Sequence, residues 1–143
     1  MSASTALLLT LALPLTAAVL TGLFGRRPNV REAMTVIAGA LTFLVVASLV
    51  PQVLAGFRPS VALFEVLPGV PIAFTLEPLG MLFALVASGL WIVTTGYSIG
   101  YMRSNNEGHQ TRFYACFAVA IFAALGVALA GNMFTLFLFY EVL

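Results

Sequence analysis

Long apolar stretches, separated by short segments that contain arginine, dominate this sequence of 143 residues. Only 8% of the residues are charged, whereas an average soluble domain has roughly 25%. The mean hydropathy is +1.09. A helix needs about 20 apolar residues to cross a hydrocarbon core about 30 Å thick, and stretches of that length recur here. The sequence therefore predicts an integral membrane protein, and its six Lys and Arg and five Asp and Glu residues form no face suited to nucleic acid.

The spacing of the apolar stretches predicts an all-α membrane protein that forms a single transmembrane domain over residues 1–143. Four complete transmembrane helices are expected at about 3–24, 33–54, 78–101 and 113–130. The uncharged run 113–140 would be about 42 Å long as one helix, too long for one untilted span. We therefore expect a break at Gly131-Asn132 and the first half of a fifth helix at 132–143. The chain would then be a fragment of a longer protein, or else a short structural subunit.

The segment between the second and third spans has a different character. Two runs of extended type flank Pro68-Gly69, so we expect a short hairpin-like loop there. Five arginines lie beside the first and third connections, but this loop contains only Arg58. By the positive-inside rule, the hairpin and the amino terminus should face outward. We therefore predict a multi-pass protein of a bacterial-type inner membrane.

Glu141 is the one residue in the last apolar run that is charged at neutral pH. A carboxylate at the centre of a membrane helix costs about 2.5 to 3.5 kcal/mol, so such residues usually face a bundle interior or an ion path. If a helix begins at Asn132, Glu141 lies about 13 to 14 Å along it, near mid-membrane. It is the leading candidate for a proton relay. The alternative is that Glu141 flanks a helix end at the membrane surface.

The other polar residues give weaker signals. Glu77 precedes Pro78 and would interact with the positive end of a helix dipole, and Glu32 beside Arg31 reads as a helix flank. His109 has too few neighbouring ligands for a metal site, and Cys116 reads as a small apolar residue. We expect no cofactor, no metal and no catalytic chemistry belonging to this chain itself.

Several motifs together resemble a known family. They are a third span that opens with Leu76-Glu77-Pro78-Leu79-Gly80-Met81-Leu82, a tyrosine pair at Tyr97 and Tyr101, the run Arg112-Phe113-Tyr114, and the final block from Gly131-Asn132 to Tyr140-Glu141. This pattern is similar to the amino-terminal portion of the antiporter-like, proton-conducting subunits of Mrp-type sodium/proton antiporters, respiratory complex I and membrane-bound hydrogenases.

The resemblance implies that Glu141 is an essential element of a proton path and pairs with a lysine on a later span. Glu77 and Tyr140 stand where relatives often have Asp and Trp, which favours the subunit-D-like branch, and both are candidates for minor contributions. The resemblance further implies other membrane subunits as partners, with protons and sodium as the transported ions. Two alternatives stay open: a membrane-arm subunit of a redox-driven NADH:quinone oxidoreductase or hydrogenase, and a non-conducting structural subunit or truncated fragment.

Overall fold

The computed structural model describes residues 2–143, which form five helices and one antiparallel hairpin. The elements in chain order are α1 (Ala3–Leu23), α2 (Pro28–Leu54), β1 (Ser60–Leu67), β2 (Val70–Thr75), α3 (Pro78–Ser104), α4 (Gln110–Ala128) and α5 (Met133–Val142). Helices α1 to α4 are long and apolar enough to cross a membrane, and α5 is a shorter apolar helix. The predicted fold class, with four spans, a hairpin and a partial fifth helix, is confirmed.

Proline sets the start of two helices. Pro28 and Pro78 occupy the first turns of α2 and α3, where a missing backbone N–H leaves no hydrogen bond unmade and the fixed φ suits a helix. As a result α2 begins five residues before the apolar stretch predicted at 33–54. Arg31 and Glu32 consequently lie inside the helix instead of in front of it.

The helices pack in a compact order. Helix α1 lies against α2 and α4, α3 lies against α2 and α4, and α5 packs on α4. Four alanines, Ala17, Ala18, Ala38 and Ala118, surround the fully buried Trp91 of α3. Small side chains let helices approach closely in a membrane, where packing and not water exclusion drives their association.

The bundle has two chemically different ends. The hairpin end contains β1 and β2 and the starts of α1, α3 and α5, while the arginine end contains the connections α1–α2 and α3–α4. In the hairpin, Gly69 has a φ of +81°, which suits the turn because glycine lacks the Cβ that would clash. Ser60 pairs with Thr75 and Leu67 with Val70, with register shifts between them.

The second edge of β2 is bonded to the junction between α4 and α5. The Thr75 N–H donates to the Leu129 carbonyl at 2.8 Å, and the Gly131 N–H donates to the Ala73 carbonyl at 2.8 Å. The predicted break at Gly131-Asn132 is therefore the point where the chain passes along the hairpin. A Cβ on Gly131 would lie 2.8 Å from Thr75 Oγ1 and 3.1 Å from the Ala73 carbonyl oxygen, so this contact requires glycine.

Candidate functional site

Glu141 lies near the end of α5, eight residues beyond Met133. At 1.5 Å per residue it is about 12 Å from the hairpin end. Its side chain is exposed on the surface of the bundle, and it forms no ion pair with any of residues 2–143. The carboxylate thus lies well along an otherwise apolar helix, with no cation in the described part of the chain to compensate its charge.

The rotation of α5 explains the exposure of Glu141. Thr135 is fully buried, and Phe139, one turn later on the same face, packs against the core. Successive residues of a helix are about 100° apart, so Glu141 is about 200° around the axis from Phe139. Tyr140 and Phe137 are exposed on the same outer side. Helix α5 therefore turns its carboxylate away from α1 to α4.

Hydrogen bonds to the hairpin fix the start of α5. The Asn132 side chain accepts from the Thr135 N–H at 2.8 Å and donates to the Pro71 carbonyl at 2.7 Å. The Thr135 hydroxyl accepts from the Ala73 N–H at 3.0 Å. Asn132 thus caps the helix, which is a preferred role for asparagine, and binds β2 with the same amide. We call these contacts, made by Asn132 and Thr135 with Pro71 and Ala73, the hairpin clamp.

An aromatic contact holds α5 further along its length. The Phe139 ring lies edge-on to Phe74 of β2, with the ring centroids 5.5 Å apart, and 5.1 Å from Phe122 of α4. Gly126 makes room for it, because a Cβ at that position would overlap the Phe139 ring. Aromatic pairs of this geometry contribute about 0.5 to 1.5 kcal/mol beyond burial. Together with the hairpin clamp, this contact fixes the rotation of α5.

The two minor candidates lie in different places. Tyr140 is next to Glu141 and is also exposed. Glu77 precedes the first residue of α3 at the hairpin end, where its carboxylate lies 3.4 Å from Arg58, and both side chains are more than 60% exposed. Glu77 also lines the edge of a groove of 540 Å³ between α3 and α4. The structure therefore places Tyr140 beside Glu141 and Glu77 on a separate element with its own partner.

Sequence reasoning missed a buried charge cluster at the arginine end. Arg31 and Glu32 of α2 are only 5% and 4% exposed, and Arg103 of α3 reaches the Glu32 carboxylate with both Nε and Nη2. Arg31 Nη2 lies 3.3 Å from the same carboxylate. We call Arg31, Glu32 and Arg103, with Gln110 and Thr111 of α4, the arginine–glutamate cluster.

Helix α4 completes this cluster. Arg31 donates to Gln110 Oε1 at 2.7 Å and to Thr111 Oγ1 at 3.0 Å, and its guanidinium lies 5.2 Å from the centre of the Tyr114 ring. A guanidinium stacked on an aromatic face is favourable, more so when it is desolvated. Two cations surround one carboxylate, so the cluster carries a net charge of +1, and its hydrogen bonds tie three helices together. Because its members bond to one another across helices, we regard the cluster as a structural element and not as a candidate site for ion transport.

Comparison with known proteins adds local sequence similarity. No protein-family model matches the chain. Over 67 residues, 47% of this chain, it is 39% identical to Na(+)/H(+) antiporter subunit A1 of Staphylococcus aureus strain bovine RF122 / ET3-1, and 37% identical to the same subunit of strain JH9. In both cases the match covers 8% of the relative, so this chain spans a small part of those subunits.

Two solved structures share the fold over almost the whole chain. A chain of the Mrp complex from Dietzia sp. DQ12-45-1b superposes with a TM-score of 0.84 and 23% identity, covering 99% of this chain and 26% of that one. A chain of the membrane-bound sulfane sulfur reductase, an archaeal respiratory membrane complex, superposes with a TM-score of 0.81 and 20% identity, covering 95% and 28%.

These similarities define the class of protein. The chain is a multi-pass membrane protein that resembles antiporter-like membrane subunits, as its motifs predict. Its curated relatives are subunits A1, whereas Glu77 and Tyr140 favoured the subunit-D-like branch.

Proposed function

We propose that this chain belongs to a subunit of a multisubunit monovalent cation/proton antiporter, in which Glu141 relays protons. The observation that carries the proposal is the position of Glu141, about 12 Å along an apolar helix on the face turned away from α1 to α4. Local identity to antiporter subunit A1 supports the same class. Carboxylates at such depth typically mark ion or proton pathways.

In this mechanism Glu141 alternates between a charged and a neutral form. A nearby cation stabilises the charged carboxylate. When that cation moves away, the low-polarity surroundings favour the neutral form, and Glu141 takes up a proton. No described residue supplies the cation. The resemblance implies a lysine on a later span, so the proton path is completed by helices that pack on the exposed face of α5, with Tyr140 beside it as a minor contributor.

The setting proposed for this chain follows from its charge distribution and its relatives. It functions among other membrane subunits of a multisubunit complex in a bacterial-type inner membrane, with the amino terminus and the hairpin outside. Protons and sodium are the proposed transported ions. Glu77 lies at the hairpin end, paired with Arg58, where we propose that it makes a minor contribution through the local charge near the outer surface.

The direct test replaces Glu141 in the full-length chain within its complete complex. We expect Glu141→Gln to reduce sodium-dependent proton movement in vesicles by about 10² or more, the usual size of the loss when a proton-transferring group is removed. Glu141→Asp should keep part of the activity. Glu107→Gln, in an exposed loop, is the matched control and should transport normally. Normal transport by Glu141→Gln would refute the relay.

A membrane-arm subunit of a redox-driven complex is the second candidate. It is favoured by the superposition on the sulfane sulfur reductase complex, which is an archaeal respiratory membrane complex. The two candidates differ in their partners, because a redox-driven complex must contain subunits that carry electrons. Purifying the complex through this chain and identifying the accompanying subunits separates them: subunits with flavin or iron–sulfur centres support the redox candidate, and their absence supports the antiporter.

A further inference from the structure

We infer that strand β2 is a positioning element for Glu141 and acts through Thr135 and Asn132. The inference rests on the proposed function of Glu141, and it adds residues that have no direct contact with a transported ion. Its basis is the hairpin clamp, which bonds the start of α5 to the backbone of a strand on the surface of the bundle.

The clamp controls both the height and the rotation of α5. The Asn132 side-chain NH₂ donates to the Pro71 carbonyl, and the Asn132 side-chain oxygen caps the helix. Together these bonds set the position of the first turn of α5 along the helix axis. The Thr135 hydroxyl, fully buried, accepts from the Ala73 N–H, which sets the rotation. Both partners are backbone groups of β2, and they cannot follow α5 unless the strand itself moves.

Because α5 is one short helix, its axial position and rotation at Thr135 also determine the position of Glu141. Thr135 and Glu141 are six residues apart, about 9 Å along one continuous helix. The Phe139 ring, seated over Gly126 and against Phe74 of the same strand, supports the rotation from the side. Loss of the Thr135 hydroxyl would leave the Ala73 N–H without its partner and release α5 to turn, and a turn of the helix changes the direction of the carboxylate.

Thr135→Val tests this step, because valine has nearly the same shape as threonine but no hydroxyl. Thr135→Ser keeps the hydroxyl and serves as the conservative rescue. Thr42→Val is the matched control, since Thr42 is also fully buried but its hydroxyl donates to the Ala38 carbonyl of its own helix. Asn132→Asp keeps the cap and removes the amide that donates to Pro71, which isolates the second contact.

Two readouts separate positioning from folding and from the relay. The first is the rate at which a cysteine at position 141, introduced as Glu141→Cys with Cys116→Ala, reacts with N-ethylmaleimide in membranes that contain the full complex. This rate reports the surroundings of position 141 and does not require transport. The second is sodium-dependent proton movement and its pH profile, measured with Glu141 intact and normalised to the amount of assembled complex.

We expect Thr135→Val and Asn132→Asp to change the reaction rate at position 141 severalfold and to shift the pH profile. Transport should fall by roughly 10- to 100-fold, the size associated with a displacement of about 1 Å in a reacting group. Thr135→Ser and Thr42→Val should match the parent chain. Equal reaction rates at position 141 in Thr135→Val and Thr42→Val would overturn the inference. Normal transport by Glu141→Gln would instead refute the proposed function. The reaction rates at position 141 would then still show whether strand β2 positions this part of α5.

Discussion

Glu32 of α2 and Arg103 of α3 are joined through both carboxylate oxygens, although 71 residues separate them in the sequence. Arg31 contacts the same carboxylate from its own helix and reaches α4 through Gln110. Glu32 therefore joins α2 to α3, and Arg31 links the same cluster to α4, at the arginine end.

Glu32→Gln should destabilise the chain strongly. It leaves Arg31, which is only 5% exposed, without its counter-charge, and breaking a buried ion pair from one side costs about 3 to 5 kcal/mol. Thermal or chemical denaturation of the purified complex measures the loss. Glu107→Gln, which removes an exposed carboxylate, should leave stability unchanged. Equal stability of the two variants would show that Glu32 has no such role.

Arg31→Lys should also be destabilising, despite keeping the charge. A lysine has no planar fork with which to contact Glu32, Gln110 and Thr111 together, and it stacks less well on Tyr114. Each hydrogen bond to a charged group contributes about 1.5 to 3 kcal/mol, so we expect a loss in this range. Arg112→Lys is the control, because Arg112 is exposed. The same denaturation measurement applies, and a loss as small as that of the control contradicts the prediction.

Gly126→Ala should weaken the packing of α5 on α4. The added methyl group overlaps the Phe139 ring, and overpacking of this kind costs about 1 to 3 kcal/mol. Combining it with Phe139→Leu should recover part of the stability. Gly96→Ala is the control, because a Cβ there has no atom within 4 Å. Protease resistance of α5 in membranes reports the effect, and no difference between Gly126→Ala and Gly96→Ala would argue against the contact.

The Arg58–Glu77 pair at the hairpin end should contribute little. Both side chains are more than 60% exposed, and exposed pairs typically contribute about 0 to 1 kcal/mol and are screened by salt. Arg58→Ala and Glu77→Ala should therefore each change stability by less than about 1 kcal/mol. A larger loss in denaturation at physiological salt would indicate that Glu77 has a partner besides Arg58.

The fold is predictable because its signals are local. Apolar stretches define the spans, the Pro68-Gly69 pair marks the hairpin turn, and Gly131-Asn132 lies in the four-residue connection between α4 and α5. Each of these features depends on residues within a few positions of one another. The pairing of β2 with the α4–α5 junction is different, because it joins segments about 60 residues apart, and no local pattern encodes it.

The arginine–glutamate cluster shows where the sequence interpretation was incomplete. Glu32 read as a helix flank because the apolar stretch begins after it, yet the proline rule that starts α3 at Pro78 applies equally to Pro28. Applied there, it places Arg31 and Glu32 inside α2. Their burial depends on Arg103 and Gln110, which are distant in sequence, so the partners themselves were not predictable. The role of Glu141 stays a prediction.

The hydrogen bonds between elements are unevenly distributed along the bundle. The hairpin clamp lies at one end and the arginine–glutamate cluster at the other, whereas the buried hydroxyls of Thr10, Thr42 and Ser88 donate to carbonyls of their own helices. In the described residues the indole N–H of Trp91, halfway along α3, has no acceptor. Between the two ends, the one side-chain hydrogen bond that joins two helices among residues 2–143 is that of Thr21 with Thr35, at 3.5 Å. The rest of the central layer is held by the packing of apolar side chains, and it can widen or admit water with little loss of hydrogen bonding between helices. Such a bundle is stiff at both membrane surfaces and compliant at the depth where Glu141 lies.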